Sequence, residues 1–238
     1  MMKKIQVLLH RIKNKLTKLR LQPICVFCFH QVSEQFDSST MWECDWTQIG
    51  LFKKNIIRLQ KQYTFISLSE ATEKLKHDKF RCKKYAVLTA DDGWASLKNI
   101  IPWIVEQKIP ITLFVNPAYL LGEETRENGM KQLLSTDELV EMHAHGKPYI
   151  SIASHGWNHQ LTIEQSDHEF VMNIEKSMKY LSQIDGFIPY FAYPCGIRKA
   201  GQDIYLKKRG ILPVYCDGQK NYNNGECIHR EPIDGRKL

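Results

Sequence analysis

Apolar residues along this chain fall into two alternating kinds of run. Short dense runs at 24–29, 63–68, 85–89, 111–116, 149–153, 190–193, 212–216 and 226–230 read as strands buried on both faces. Between them, apolar positions recur every three or four residues over 48–61, 69–77, 95–107, 136–144, 166–184 and 201–209, which predicts helices with one buried stripe. In the 166–184 segment that stripe is Phe170, Ile174, Met178 and Leu181. Two helix starts carry capping boxes, Ser135 with Glu138 and Ser166 with Glu169. Strands separated by helices of this length pair in parallel through crossovers. Eight such runs predict an α/β fold, a closed or nearly closed barrel of seven or eight mostly parallel strands.

In such a barrel the reactive side chains gather where the strands end. His30, Asp91, Asp92, His155, Pro194, Asp217 and Arg230 all stand at or just past a predicted strand end. The 117–134 stretch, with Pro117, Gly122 and Gly129, reads as a long surface loop.

Charge changes the picture at one place. Residues 1–20 hold Lys3, Lys4, Arg11, Lys13, Lys15, Lys18 and Arg20 and no acid, with Ile5, Leu8, Ile12, Leu16 and Leu19 at helical spacing. Subtracting those seven from 33 basic residues leaves 26, equal to the 26 acids, so the net +7 belongs to this segment. A nucleic-acid groove needs a basic stripe on the folded body, and a neutral body argues against nucleic acid as a partner. The organisation expected is therefore a basic amphipathic helix over 1–20 and one barrel domain over 21–238. Two readings of the helix stand: peripheral contact with an anionic membrane surface, or simple packing against the domain with its lysines solvated. No run approaches the roughly 20 apolar residues of a membrane span, and charges interrupt any signal-peptide core. A cytoplasmic location, peripheral at the inner face of the membrane if the helix binds lipid, is the corresponding expectation.

The seven cysteines are odd in number and scattered. Cys25 and Cys28 spell C-x-x-C, but an offset of three on a strand sends them to opposite faces, which disfavours a zinc or redox pair. Most read as reduced, small core residues.

The chemistry concentrates in two motifs. Asp91-Asp92-Gly93 places two adjacent carboxylates at one strand end, and His155 and His159 stand four residues apart at another. Either alone has a plain explanation: Asp-Gly makes turns, and a His pair is often a solvated or hydrogen-bonded one. Both at one barrel mouth corroborate each other. One Asp and two His form a three-ligand site for a zinc-like ion with a position open for water, and the second carboxylate is left to act as a base. The implied chemistry is metal-assisted hydrolysis.

These residues also carry a resemblance. Thr89-Ala90-Asp91-Asp92-Gly93 and Ser154-His155-Gly156-Trp157-Asn158-His159 resemble the first two motifs of the polysaccharide deacetylases, carbohydrate esterase family four with its nodulation-protein-B homology domain. The branch that looks most similar is that of the poly-N-acetylglucosamine deacetylases, and the resemblance runs from about residue 23 to the C-terminus. It implies a distorted (β/α) barrel that removes acetyl groups from an N-acetylated glycan or glycan precursor. It also implies Asp91 as general base, and Asp92, His155 and His159 as ligands of a divalent metal, zinc first, with cobalt or manganese as alternatives.

The third motif departs from the family's R-x-P-[YF]. Here it reads Ala192-Tyr193-Pro194-Cys195-Gly196, in which Pro194 matches and Cys195 still offers a backbone N–H to an oxyanion. Arg230, at the end of the last strand, is the candidate to orient Asp91 in place of the missing arginine; a surface arginine is the plain alternative. For the general acid the nearest candidate is His229, although neighbours on a strand face opposite ways, so His229 and Arg230 cannot both point inward without a bend. His30 is the alternative acid, in a position similar to a strand-end histidine of the poly-N-acetylglucosamine branch. His30, Trp94, Trp157, Tyr193, Pro194 and Cys195 are the substrate-side candidates, with the two tryptophans as sugar-stacking walls or core aromatics. His143 and His145 read as solvated residues at a helix C-terminus. Two rival functions accompany this reading: a degenerate barrel that binds glycans without turnover, and a deacetylase of an O-acetyl ester or a non-sugar amide.

Overall fold

A computed structural model describes residues 21–38, 43–78, 80–123 and 132–236. The predicted 1–20 helix lies outside the described residues. In chain order the elements are β1 (Ile24–Phe29), β2 (Gln31–Ser33), β3 (Trp46–Gln48), α1 (Ile49–Gln60), β4 (Thr64–Phe65), α2 (Leu68–His77) and β5 (Tyr85–Ala90). A 3-10 turn (Ala95–Asn99) leads into α3 (Ile101–Glu106), then β6 (Ile111–Val115), α4 (Pro117–Leu120), α5 (Thr136–Gly146), β7 (Ile150–Ser154) and α6 (Asp167–Leu181). The chain ends with β8 (Phe187–Ala192), α7 (Gln202–Lys208), β9 (Leu212–Tyr215), β10 (Ile228–His229) and β11 (Glu231–Pro232).

All pairings in the main sheet are parallel, in the order β10-β9-β8-β7-β6-β5-β1-β11, with β4 added beside β5. The last predicted strand is broken at Arg230. Its first half pairs with β9 and its second with β1, so the two ends of the sheet meet across one residue and the barrel is nearly closed.

Side-chain alternation sorts the core into layers. Val26, Val87, Phe114, Ala153, Ala192, Val214 and Ile228 fill the barrel, and Leu68, Ala71 and Leu75 of α2 plug its lower end. The opposite faces of β1, β5, β6 and β7 pack under α1, α3 and α5 through residues such as Phe29, Leu88, Leu113, Ile152, Phe52, Ile56, Ile104 and Leu139. A third cluster seats α6 and α7 on Phe191, Tyr193 and Tyr215. Each such buried aliphatic or aromatic side chain contributes about 1.5–3 kcal/mol, which is why periodicity specified these elements well. Both capping boxes form, and Ser67 caps α2.

Several expectations are corrected. The 95–107 segment is two helices, because Pro102 suits only a first helical turn and so restarts the helix there. The supposed loop at 117–134 opens with α4, whose Pro117, Ala118 and Leu120 are buried. The short pair β2–β3 forms a separate two-stranded sheet that no run signalled. His143 is buried rather than solvated. Of the seven cysteines only 28 and 227 are buried, whereas 25 and 216 are half-buried and 44, 82 and 195 are exposed, so fewer serve as core residues than expected. Among the described residues no helix is long and apolar enough to cross a membrane.

Candidate active site

The parallel register fixes which residues share the barrel mouth. Phe29 pairs with Ala90, so the next residues, His30 and Asp91, emerge level with each other. Cys28 pairs with Pro232, so His30 meets Asp234 two residues further on. Val115 pairs with Ser154, which sets Asn116 beside His155; the Asn116 amide donates to the His155 and Gly156 carbonyls at 2.7 and 3.1 Å and holds that strand end.

Asp92, His155 and His159 converge. Asp92 Oδ1 lies 3.5 Å from His155 Nε2 and 3.3 Å from His159 Nε2. Asp92 and His159 both adopt left-handed backbone, at φ 71 and 58, the sort of strain that persists where surrounding structure requires a side-chain direction. The other oxygen of Asp92 accepts from Trp94 Nε1 at 3.0 Å, and His155 Nδ1 donates to the Ala192 carbonyl at 2.8 Å. With Nδ1 carrying the proton, the neutral ring aims the Nε2 lone pair at a carboxylate oxygen. Burial, the largest influence on His155, lowers its pKa against the pull of Asp91 and Asp92 and keeps the ring neutral. Acceptors facing one another in a buried site call for a cation. Ligand atoms about 2.0–2.1 Å from a tetrahedral zinc stand about 3.3 Å apart, close to the separations seen. The donor set therefore fits a divalent ion.

Asp91 has different surroundings. Arg230 Nη1 and Nη2 donate to its Oδ1 and Oδ2 at 2.6 and 2.8 Å, and Nη1 also donates to Thr89 Oγ1 at 3.1 Å. Arg230 is 1% exposed, far from the surface role that arginine usually takes. Its guanidinium lies over the Phe114 ring, 5.0 Å from the centroid. Burial opposes ionisation of Asp91, but the Arg230 charge, aided by His155 and the hydrogen bonds, outweighs it and holds the carboxyl below its ordinary pKa.

His30 closes a third side. Its backbone N–H and its Nδ1 both contact the Asp234 carboxylate, each at 2.8 Å. Burial disfavours the imidazolium, yet the hydrogen bond and charge of Asp234, with Asp92 and Asp91 behind it, raise His30 to about 10. Burial also raises Asp234 in spite of its partner. The pair is ionic, with the added field of the two mouth aspartates favouring the imidazolium.

Other candidates are placed elsewhere. Arg230 faces inward and His229 outward, as alternation requires; His229 Nδ1 contacts both oxygens of Asp217 at 2.9 Å and its ring packs on Tyr215, away from the mouth. Tyr193 also turns outward, its hydroxyl donating to Asp203. Trp94 is 1% exposed and cannot stack on a sugar; it orients Asp92 instead. Trp157 is covered by the Lys176 ammonium, 3.6 Å from its ring centroid, and by the edge of Tyr180. Pro194 is buried, and Cys195 is exposed at the mouth turn with φ 54. Sequence reasoning missed Asp234 and the thiol pair of buried Cys28 and half-buried Cys216, whose sulfurs are 3.5 Å apart. Nothing local marks either, since both depend on the closing register of the barrel.

Comparison with known proteins agrees with this fold. No curated protein matches the sequence. Three solved structures share the fold: IcaB from Ammonifex degensii (20% identity, TM-score 0.75, covering 91% of this chain and 94% of that one), the deacetylase PplD from Streptococcus pyogenes in complex with acetate (21%, 0.73, 90% and 93%), and a de-N-acetylase from Aggregatibacter actinomycetemcomitans (18%, 0.71, 90% and 95%). The polysaccharide deacetylase family model matches residues 78–211, more than half of the sequence and the stretch that contains Asp91, Asp92, His155 and His159. The chain belongs to the polysaccharide deacetylase family and is a deacetylase, a hydrolase.

Proposed function

We propose that this chain hydrolyses the acetamide of an N-acetylated sugar in a polysaccharide or glycan precursor, with a divalent ion held by Asp92, His155 and His159. The observation that carries this reading is the division of labour between adjacent carboxylates. Asp92 faces the Nε2 atoms of two imidazoles, whereas Asp91 is ionised and oriented by Arg230. A divalent ion in such a site supplies Lewis acidity, polarising the acyl oxygen and making water more acidic.

The chain's own residues do the rest. Asp91 keeps lone pairs beyond those bound by Arg230, and Oδ2 is 3.9 Å from His155 Nε2, so it faces the reacting centre and accepts the proton of the attacking water. Arg230 fixes that carboxylate from across the barrel, the task left open by Ala192. Within the turn at Pro194–Gly196 the oxyanion donor in this reading is the Cys195 N–H, since proline has none and the Gly196 N–H donates to the Tyr193 carbonyl at 2.9 Å. His30, protonated and bound at Nδ1 by Asp234, delivers a proton from Nε2 to the leaving amine. A buried, oriented base supports turnover over mere glycan binding, since a binding site gains nothing from an ionised carboxylate beside the ligand cluster.

The test is acetate release from chitin oligomers, N-acetylated nucleotide sugars and O-acetylated sugars, with and without chelator. Chelator-sensitive release from the N-acetylated substrates is expected. Release confined to O-acetyl esters, or none with added zinc, cobalt or manganese, contradicts the reading.

A further inference from the structure

Cys28 and Cys216 are two thiols that the hydrolysis does not use. Cys28, near the end of β1, is fully buried and points into the barrel; Cys216, one residue past β9, is partly exposed. Their sulfurs are in contact at 3.5 Å although 188 residues separate them in sequence. Arg230 comes from the broken strand between β9 and β1, and its buried Nε–H has no hydrogen-bond partner among the described residues. We propose that Cys28 and Cys216 form an oxidisable dithiol, a modification site for peroxide-class oxidants, whose disulfide disturbs the Arg230–Asp91 pair and lowers activity.

The arrangement divides the two roles. Cys216 is the more exposed of the two residues and lies in the field of the Arg230 guanidinium, a setting that favours thiolate. The hydrogen bond from Cys28, with Arg230 adding in the same direction, lowers its pKa to about 7, while Cys28 is pushed up. In the first step the Cys216 thiolate attacks one peroxide oxygen; the O–O bond breaks, hydroxide leaves and takes a proton to become water, and a sulfenic acid remains. Cys28 sulfur then attacks the Cys216 sulfur, and its proton departs with the hydroxyl as a second water. Two thiols are oxidised and one peroxide is reduced.

Closing the contact from 3.5 Å to the about 2.05 Å of a disulfide draws the ends of β1 and β9 together. The mouth has little slack to absorb this. A Cβ on Gly196 would already lie 3.2 Å from the Cys216 carbonyl oxygen, so the oxyanion turn rests directly on Cys216.

The effect on activity rests on the proposed function; the chemistry of the thiols does not. The full chain is treated with hydrogen peroxide and mapped by mass spectrometry without reduction, alongside Cys216→Ser. A linked Cys28–Cys216 peptide is expected, reversed by dithiothreitol and absent in the variant. Acetate release should fall on the order of 10²-fold with oxidation, the scale of a misplaced base, while Cys216→Ser keeps its own starting rate after peroxide. Both thiols remaining free at a dose that oxidises exposed Cys44 and Cys82 would overturn the site. A disulfide without change in rate would overturn its coupling to Arg230. A reduced protein inactive on every acetylated substrate would count against the hydrolase reading, with the mapping still deciding the dithiol.

Discussion

Arg230 reaches Asp91 from the seam where the barrel closes and donates both terminal nitrogens to it, at 2.6 and 2.8 Å. The two residues are 139 apart in sequence. The arginine that the third motif lacks at Ala192 is thus supplied by the last strand, whose break at Arg230 lets its halves pair with different neighbours.

Removing one partner of a buried ion pair leaves the other charged and desolvated. Arg230→Met should cost about 3–5 kcal/mol of stability, read by denaturant titration. Arg230 now lowers the Asp91 pKa; without it burial raises that pKa, and the acid limb of the kcat/KM profile should move to higher pH. Arg230→Lys keeps charge but not the two-pronged geometry and should recover stability better than turnover. An unmoved acid limb in Arg230→Met would separate Arg230 from the base.

Trp94 holds the second oxygen of Asp92 through its indole N–H. Trp94→Phe keeps most of the buried ring and deletes that donor. Metal affinity should weaken about 10–100-fold, as for other outer partners of a ligand, measured by competition with a chromogenic chelator. Loss of sugar binding with metal affinity intact would restore the stacking role that burial argues against.

Asp234 raises His30 to about 10 from an ordinary value of 6.5. A pKa raised on folding contributes stability that is fully present below the unfolded value and lost as pH rises through the folded one. Asp234→Asn should therefore lower Tm at pH 7, with the difference from wild type shrinking toward pH 10 and above. The basic limb of the rate profile should move to lower pH in the same variant. A Tm difference that grows with pH would contradict the ion pair.

Much of the fold was legible because its elements repeat with the period of their own geometry. The run 24–29 coincides with β1, and Ser135 and Ser166 start α5 and α6 with the capping boxes their spacing promised. The motif residues Asp91, Asp92, His155 and His159 were legible because two short-range patterns stood at strand ends. What escaped depended on register and closure. Asp234 sits beside His30 only because Cys28 pairs with Pro232. The thiols of Cys28 and Cys216 meet only because the barrel closes. His229 was the nearest histidine in sequence to the expected acid, and strand alternation turned it out toward Asp217. The tryptophans flanking the motifs resembled sugar platforms, but Trp94 is needed inside to hold Asp92.

The most direct test is the metal content of purified wild type, Asp91→Asn and Asp92→Asn after zinc loading and removal of excess ion, measured by elemental analysis. About one zinc per chain is expected in wild type and in Asp91→Asn, because that variant keeps all three ligands, and little in Asp92→Asn, because two histidines alone hold zinc poorly. No retained metal in wild type, or equal loss from both variants, would contradict the assignment of Asp92 as ligand and Asp91 as base.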